Sequence, residues 1–299
     1  MNSAAEFISP ADLARTEHLE LISRQIVEGL YSGGHRSKQK GGSAEFAEHR
    51  AYSPGDEIRL LDWRVYGKSD RYYIKQFEEE TSLQAMFVLD ASGSMSFGLS
   101  TASKYAYSRM ASLCLARIVL HQSDAAGLSI VGEDIRAYVP PRNQPSHLEV
   151  LTQRLREATP SGSTFLTKAL GDLASRIKRR GIIIIFSDCF DRPEELAHSL
   201  KLLRARRHEV ILFHVLAPEE LSFSFQQWTR FESLENDGEI VELDPEFIRK
   251  EYLSRLREFL EQIRRACGEA SCDYVPLRTD EPVGDALATY LRRRAAVQK

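Results

Sequence analysis

Asp90-Ala-Ser92-Gly-Ser94 is the segment of this chain best equipped for chemistry. It follows the apolar run Leu83–Leu89, so a carboxylate and two alternate hydroxyls end a buried strand. Hard cations such as Mg²⁺ take oxygen ligands in near-octahedral geometry and keep several waters. One carboxylate and two neutral hydroxyls on the rim of a sheet meet that demand. The pattern alone is common, because Asp and Ser populate turns. Two later residues give it weight. Thr164 lies in Ser161-Gly-Ser-Thr164, ahead of an apolar helical stripe, and Asp188 ends the run Ile182–Phe186-Ser-Asp. Each also has a plain structural explanation: a hydroxyl of Ser161, Ser163 or Thr164 as a helix N-cap, and Asp188 as a loop acid. Together, a D-x-S-x-S after one strand, a Gly-x-Thr before a helix and an Asp after a later strand exceed what capping requires.

The elements that must position these residues alternate along the chain. From Ser82 onward, Leu83–Leu89 reads as a strand and Thr101–His121 as a helix. Ala126–Val131 and Ile135–Val139 read as short strands joined by a hairpin-like turn. Ser146–Glu149 reads as a capping box. Leu166, Leu170, Leu173 and Ile177 share a helical stripe that stops before Gly181, a candidate C′ glycine. Ile182–Phe186 and Val210–Leu216 read as buried strands, with Asp191-Arg-Pro-Glu194 capping the helix between them. Asp244-Pro245 opens a long helix, and Asp273–Leu277 and Val283–Arg292 form a last strand and helix. Continuous apolar strands alternating with helices predict an α/β fold, a mostly parallel, doubly wound sheet covered on both faces. Ligands of such sheets bind beyond the carboxyl ends of the strands, where Asp90 and Asp188 fall.

The first part of the chain differs. Ala11–Leu30 carries Leu19, Ile22, Ile26 and Leu30 on one helical face, and Gly33–Gly42 is a Gly-bounded basic loop. Glu45–Glu80 is polar and aromatic, interleaving Arg50, Asp56, Arg59, Asp62, Arg64, Lys75 and Glu78 with Tyr52, Trp63 and Tyr66. It reads as a region held by surface ion pairs, with Arg71–Phe77 a strand. The expected organisation is an N-terminal helix, basic loop and polar/aromatic strand region over 1–81, then the α/β domain over 82–299.

Composition narrows the function. The 299 residues are 42% hydrophobic and 28% charged, with a net charge of −3. This is a globular balance with no global pull toward nucleic acid or membrane. No apolar stretch reaches the ~18 residues of a membrane span, and the N-terminus lacks a basic-then-apolar signal peptide. Cys114, Cys189, Cys267 and Cys272 show neither a disulfide framework nor paired zinc spacing. A cytoplasmic protein is expected. A glycine-rich phosphate loop and an H-E-x-x-H zinc pair are both missing.

Ser82 to about Leu216 resembles a von Willebrand factor type A domain with a metal-ion-dependent adhesion site, matching at Asp90, Ser92, Ser94, Thr164 and Asp188. The resemblance implies one divalent cation, Mg²⁺ or else Mn²⁺ or Ca²⁺, touched by the serines and threonine and held by the aspartates largely through water. Hydroxyl ligands leave such a cation electrophilic, able to recruit a partner's carboxylate. A wider resemblance rests on Glu45-Phe46, Arg50-Ala-Tyr52-Ser-Pro54-Gly55-Asp56-Glu57-Ile58-Arg59, Asp62-Trp63, Tyr73-Ile-Lys75-Gln-Phe77, and Tyr274 through Arg294. These look like the signature of a bacterial family called domain of unknown function 58. Glu57 stands where that family commonly has a second Asp, and Tyr66-Gly67-Lys68 replaces a segment that often reads Ala-Arg. Members often act beside MoxR-type AAA+ ATPases. The resemblance therefore implies a non-enzymatic, metal-dependent protein-interaction module in chaperone-like assembly or maturation, with such an ATPase and protein clients as partners. Two alternatives stay open. A haloacid-dehalogenase-type phosphatase would use Asp90 as nucleophile with Asp188 and Asp191 as metal acids, but Ser92 stands where its acid–base Asp would be. A metal-independent scaffold would bind through the Glu45–Glu80 surface.

Overall fold

In the computed structural model the strand Ile182–Ser187 (β6) is the centre of a six-stranded sheet, and its composition explains why. Four consecutive isoleucines and a phenylalanine suit a pleated surface buried on both faces. β6 pairs in parallel with Gln84–Asp90 (β3) on one side and Glu209–Leu216 (β7) on the other. Beyond β3 lie Ala125–Val131 (β4), parallel to it, and Ile135–Arg142 (β5), antiparallel to β4. Beyond β7 lies Asp273–Arg278 (β10), parallel to it. The order is β10-β7-β6-β3-β4-β5. The chain winds outward from β3 in one direction and then from β6 in the other, which is the doubly wound arrangement. Only the β4–β5 hairpin departs from parallel pairing.

The structure describes residues 46–52, 61, 63–69, 72–77, 83–163, 165–225, 228–235 and 239–297. Thr164, the expected Ala11–Leu30 helix and the basic loop at 33–42 lie outside them. The chain divides into two compact units, Ser37–Ser82 and a larger one that includes Leu83–Lys299. In the small unit Phe46–Ala51 (β1) pairs antiparallel with Tyr73–Phe77 (β2), and Trp63–Ser69 (α1) lies between them in sequence. Tyr66 stacks on Tyr72 with ring centroids 4.5 Å apart, and Trp63 meets Tyr66 edge-on. The ion pairs expected around Arg50–Glu78 fall outside the described side chains.

In the large unit the period of two along the strands separates two cores. Phe87, Leu89, Phe186, Phe213 and Val215 face one side, with Lys104–His121 (α2), His147–Glu157 (α3) and Val283–Val297 (α8). Met86, Val88, Ile183, Ile185 and Leu212 face the other, with Leu166–Arg176 (α4), Pro193–Ala205 (α5) and Pro245–Glu269 (α7). A short helix, Pro218–Ser222 (α6), and a two-stranded hairpin, Thr229–Glu232 (β8) and Ile240–Leu243 (β9), are inserted between β7 and α7. Among the described residues no helix is long and apolar enough to cross a membrane.

Three local expectations fail for physical reasons. Ser146 precedes α3, but its backbone is already helical and its side chain makes no cap bond, so the capping box does not form. Asp191 does not cap α5, whose N-cap is Arg192. Its Oδ2 instead accepts from the Thr167 amide at 3.2 Å and the Thr167 hydroxyl at 2.9 Å, closing the first turn of α4 from another segment. Gly181 is not a helix-ending glycine, since α4 is finished at Ile177. It is required because a Cβ there would overlap the Gln84 carbonyl oxygen at the start of β3. The Asp244 cap does form, its Oδ1 accepting from the Glu246 amide at 3.0 Å.

Candidate functional site

The chain reverses its winding between the neighbours β3 and β6, and the helices that follow them lie on opposite faces of the sheet. The crevice outside their carboxyl ends is where an open α/β sheet binds its ligands. Asp90 is the last residue of β3, and Asp188 directly follows β6. Both are buried, at 1% and 3% exposure. Asp90 Oδ1 accepts from the Ser92 amide at 2.9 Å, and Oδ2 accepts from the Ser187 hydroxyl at 2.6 Å. The chain then turns through a short 3-10 segment, Gly93–Ser96. That turn brings the Ser92 and Ser94 hydroxyls within 3.2 Å of each other. Ser94 and Asp188 border one cavity. Four of the five residues expected from sequence therefore converge, and the fifth, Thr164, lies outside the described residues.

The loop that leads to position 164 is nonetheless tied to this crevice. The Gly93 amide donates to the Gly162 carbonyl at 2.8 Å, and the Ser161 amide donates to the Ala91 carbonyl at 3.0 Å. Arg136, from β5, donates to the Ala91 carbonyl at 2.9 Å and also to the Ser161 carbonyl. Gly162 has φ +66°, a left-handed conformation that favours glycine.

The electrostatics are uneven. Burial, aided by repulsion from Asp188, pushes the Asp90 carboxyl up to about 6 despite the bonds from Ser187 and Ser92. Burial also opposes charge on Asp188, but Lys104 outweighs it and holds that carboxyl below its usual value. Lys104 opens α2, is 2% exposed, and places Nζ 2.7 Å from Asp188 Oδ2 and 2.6 Å from Glu220 Oε1. Its ammonium is disfavoured by burial and restored by those two carboxylates, with the net shift upward. Burial lowers His214 to about 4, so its ring is neutral at pH 7. Nε2 lies 2.9 Å from the Asp188 carbonyl and Nδ1 3.0 Å from the Tyr274 hydroxyl. The neutral ring satisfies both by donating from Nε2 and accepting at Nδ1.

Lys104, Ser187, Arg136 and His214 were not anticipated from sequence. Lys104 did leave a signal there. It is a cation in the first turn of the helix read over Thr101–His121, where the macrodipole disfavours positive charge unless an anion is near. The inserted β8–β9 hairpin also contributes. Leu234, after β8, sets its carbonyl where a Cβ on Gly93 would lie, so the insertion rests directly on the turn carrying Ser92 and Ser94.

Residues 48–261 match the model of a family described as Protein of unknown function DUF58. This chain belongs to that family. Uncharacterized proteins Mb1516 of Mycobacterium bovis and Rv1480 of Mycobacterium tuberculosis are each 28% identical over 221 residues, covering 71% of this chain and 67% of theirs. Among solved structures, the conserved hypothetical protein BatB from Bacteroides thetaiotaomicron is similar at TM-score 0.46 and 15% identity, over 72% of this chain and 100% of that one. The SpRpn10 VWA domain is similar at TM-score 0.41 and 12% identity, over 69% and 94%.

Proposed function

We propose that this DUF58 protein is a metal-dependent protein-interaction module. In this reading Asp90, Ser92, Ser94, Thr164 and Asp188 hold one divalent cation, with Mg²⁺ the best match to an all-oxygen donor set and Mn²⁺ or Ca²⁺ the alternatives. A partner's Asp or Glu completes the coordination shell through a charge-assisted contact. The partner is a MoxR-like AAA+ ATPase, acting with this chain on protein clients in the cytoplasm. No catalytic step is assigned to this chain.

The observation that carries the reading is the pairing of two hydroxyls, 3.2 Å apart, with a buried carboxylate raised to about 6. Two buried carboxylates share the crevice while one ammonium serves Asp188, so Asp90 lacks a counter-charge and a dication would supply it. The phosphatase alternative draws less support. Both Asp90 oxygens already accept hydrogen bonds, and Asp191 is committed to the first turn of α4. The metal-independent scaffold keeps one observation in its favour: Lys104 already neutralises Asp188.

Calorimetric titration of the full chain with Mg²⁺ tests the site. Ser92→Ala and Asp188→Ala should each weaken binding, and unchanged affinity in both would refute the assignment. The ATPase is tested by co-purification. EDTA and Asp90→Ala should each release it, and retention under both treatments favours the scaffold.

A further inference from the structure

Beside Ser94 and Asp188 the crevice opens into a cavity of about 450 Å³, within the size range of small-ligand sites. One wall is aromatic. Phe223 lies 4.3 Å from Tyr252 of α7 and stacks on Phe231 of β8, and Phe225 meets Phe231 edge-on, by ring centroids. Phe223 holds a left-handed backbone, φ 45°, which a bulky residue keeps only when its surroundings fix it. The wall is therefore built in advance of any ligand, which reduces the ordering cost of binding.

The remaining lining is acidic. Asp188, Glu219, Glu220, Glu232, Glu235 and Glu239 all border the cavity, against one ammonium, Lys104. Lys104 is already engaged by Asp188 and Glu220. Glu219 is different in kind. It is only 8% exposed, and its Oε1 accepts from the Ser100 amide at 2.9 Å and from the Ser100 hydroxyl. Its Oε2 is buried with no hydrogen-bond partner among the described residues. Burial opposes its charge, but the Ser100 bonds outweigh that and hold the carboxyl below its usual value. A buried, charged acceptor without a donor points to a donor that arrives from outside.

The chemistry of that donor follows from the walls. A bare metal ion has no hydrogen to donate to a carboxylate oxygen. The cavity also exceeds what a bare ion needs. Aromatic faces attract cations, and a planar guanidinium both stacks on a ring and presents its N–H groups to carboxylates along its edge. A compact, strongly hydrated ammonium does this less well.

We propose that this cavity receives the guanidinium of an arginine side chain from the partner protein, with Glu219 and Glu232 accepting its N–H groups and Phe231 offering a ring face. The proposal deepens the functional reading above and rests on it for the ligand's being a protein. The partner would then be held at two points, a carboxylate at Ser92 and Ser94 and an arginine a short distance away.

The test titrates the full chain with Nα-acetyl-arginine amide and with the matching citrulline amide, which keeps the shape and loses the charge. NMR shift changes are read once in EDTA and once in Mg²⁺. The arginine compound should saturate, and the citrulline compound should bind at least tenfold more weakly. Glu232→Gln, at an exposed position, and Glu219→Gln should each weaken arginine binding at least fivefold. Equal binding of the two compounds, wild-type affinity in both variants, or no saturation would overturn the proposal. Arginine binding that persists in EDTA and in Ser92→Ala supports the cavity independently of the cation. Mg²⁺ binding without arginine binding overturns the cavity alone.

Discussion

Replacing Asp90 with Asn should make the metal-free protein more stable at pH 7. Asp90 is buried, and its carboxyl rises from 3.8 to about 6 in the folded chain. The folded state therefore holds this proton more tightly than the unfolded state does. The sign follows from linkage. Below pH 4 the group is protonated in both states and contributes no penalty; from there to about pH 6 the unfolded state ionises first, and folding stability falls as pH rises. Above that window the penalty is complete, and a shift of this size corresponds to about 3 kcal/mol. Asn keeps the carbonyl oxygen that accepts from the Ser92 amide, and only the Ser187 hydroxyl must find a new geometry. A net gain of about 2 kcal/mol at pH 7 is expected, after allowing about 1 kcal/mol for that weakened bond. Urea unfolding in EDTA at pH 4, 5, 6 and 7 measures it, with the difference between variant and wild type isolating Asp90 from other titrating groups. The advantage should vanish as the pH falls toward 4, where the weakened Ser187 bond leaves the variant the less stable by up to about 1 kcal/mol. Adding 10 mM Mg²⁺ should stabilise the wild type and leave Asp90→Asn unmoved. A variant that is less stable than wild type at pH 7 in EDTA would refute the electrostatic reasoning. Equal Mg²⁺ stabilisation of both proteins would refute the placement of the cation.

Lys104→Met should cost about 3–5 kcal/mol in EDTA, because it strands the buried Asp188 carboxylate; Lys104→Met with Asp188→Asn should recover most of the loss in the same urea assay. Arg136→Ala should leave the circular dichroism spectrum unchanged and weaken Mg²⁺ binding by calorimetry, since the guanidinium ties the Ala91 and Ser161 carbonyls together. Gly93→Ala should force the β8–β9 insertion off the Ser92–Ser94 turn, seen as faster amide exchange over 229–243 and a loss of about 1–3 kcal/mol. All four cysteines are buried and burial raises the thiols of Cys114 and Cys189, so a thiol reagent should label them only upon unfolding.

Local pattern was enough for the strands and long helices of the main sheet and for where the oxygen ligands sit along them, but not for the inserted α6 and β8–β9 hairpin. A run such as Ile182–Phe186 can be stable only with both faces covered, and a strand so covered must end its carboxylate at the sheet's edge. That is why Asp90 and Asp188 were legible as candidates before any strand had a neighbour. Their adjacency was not legible, because the order β7-β6-β3-β4 is a choice among pairings that periodicity leaves equivalent. The caps were misread for a related reason. Ser146 and Asp191 have the right residue types in the right places, yet Asp191 found a better use 24 residues away, at Thr167. Lys104, Arg136 and Glu219 act through partners 84, 45 and 119 residues distant, so no window of sequence contains both ends of those contacts. Charge type and hydrophobic period are properties of a segment and can be read from it. Burial, counter-charge and the missing hydrogen-bond partner of Glu219 Oε2 are properties of what surrounds a side chain, and only the packed chain decides them.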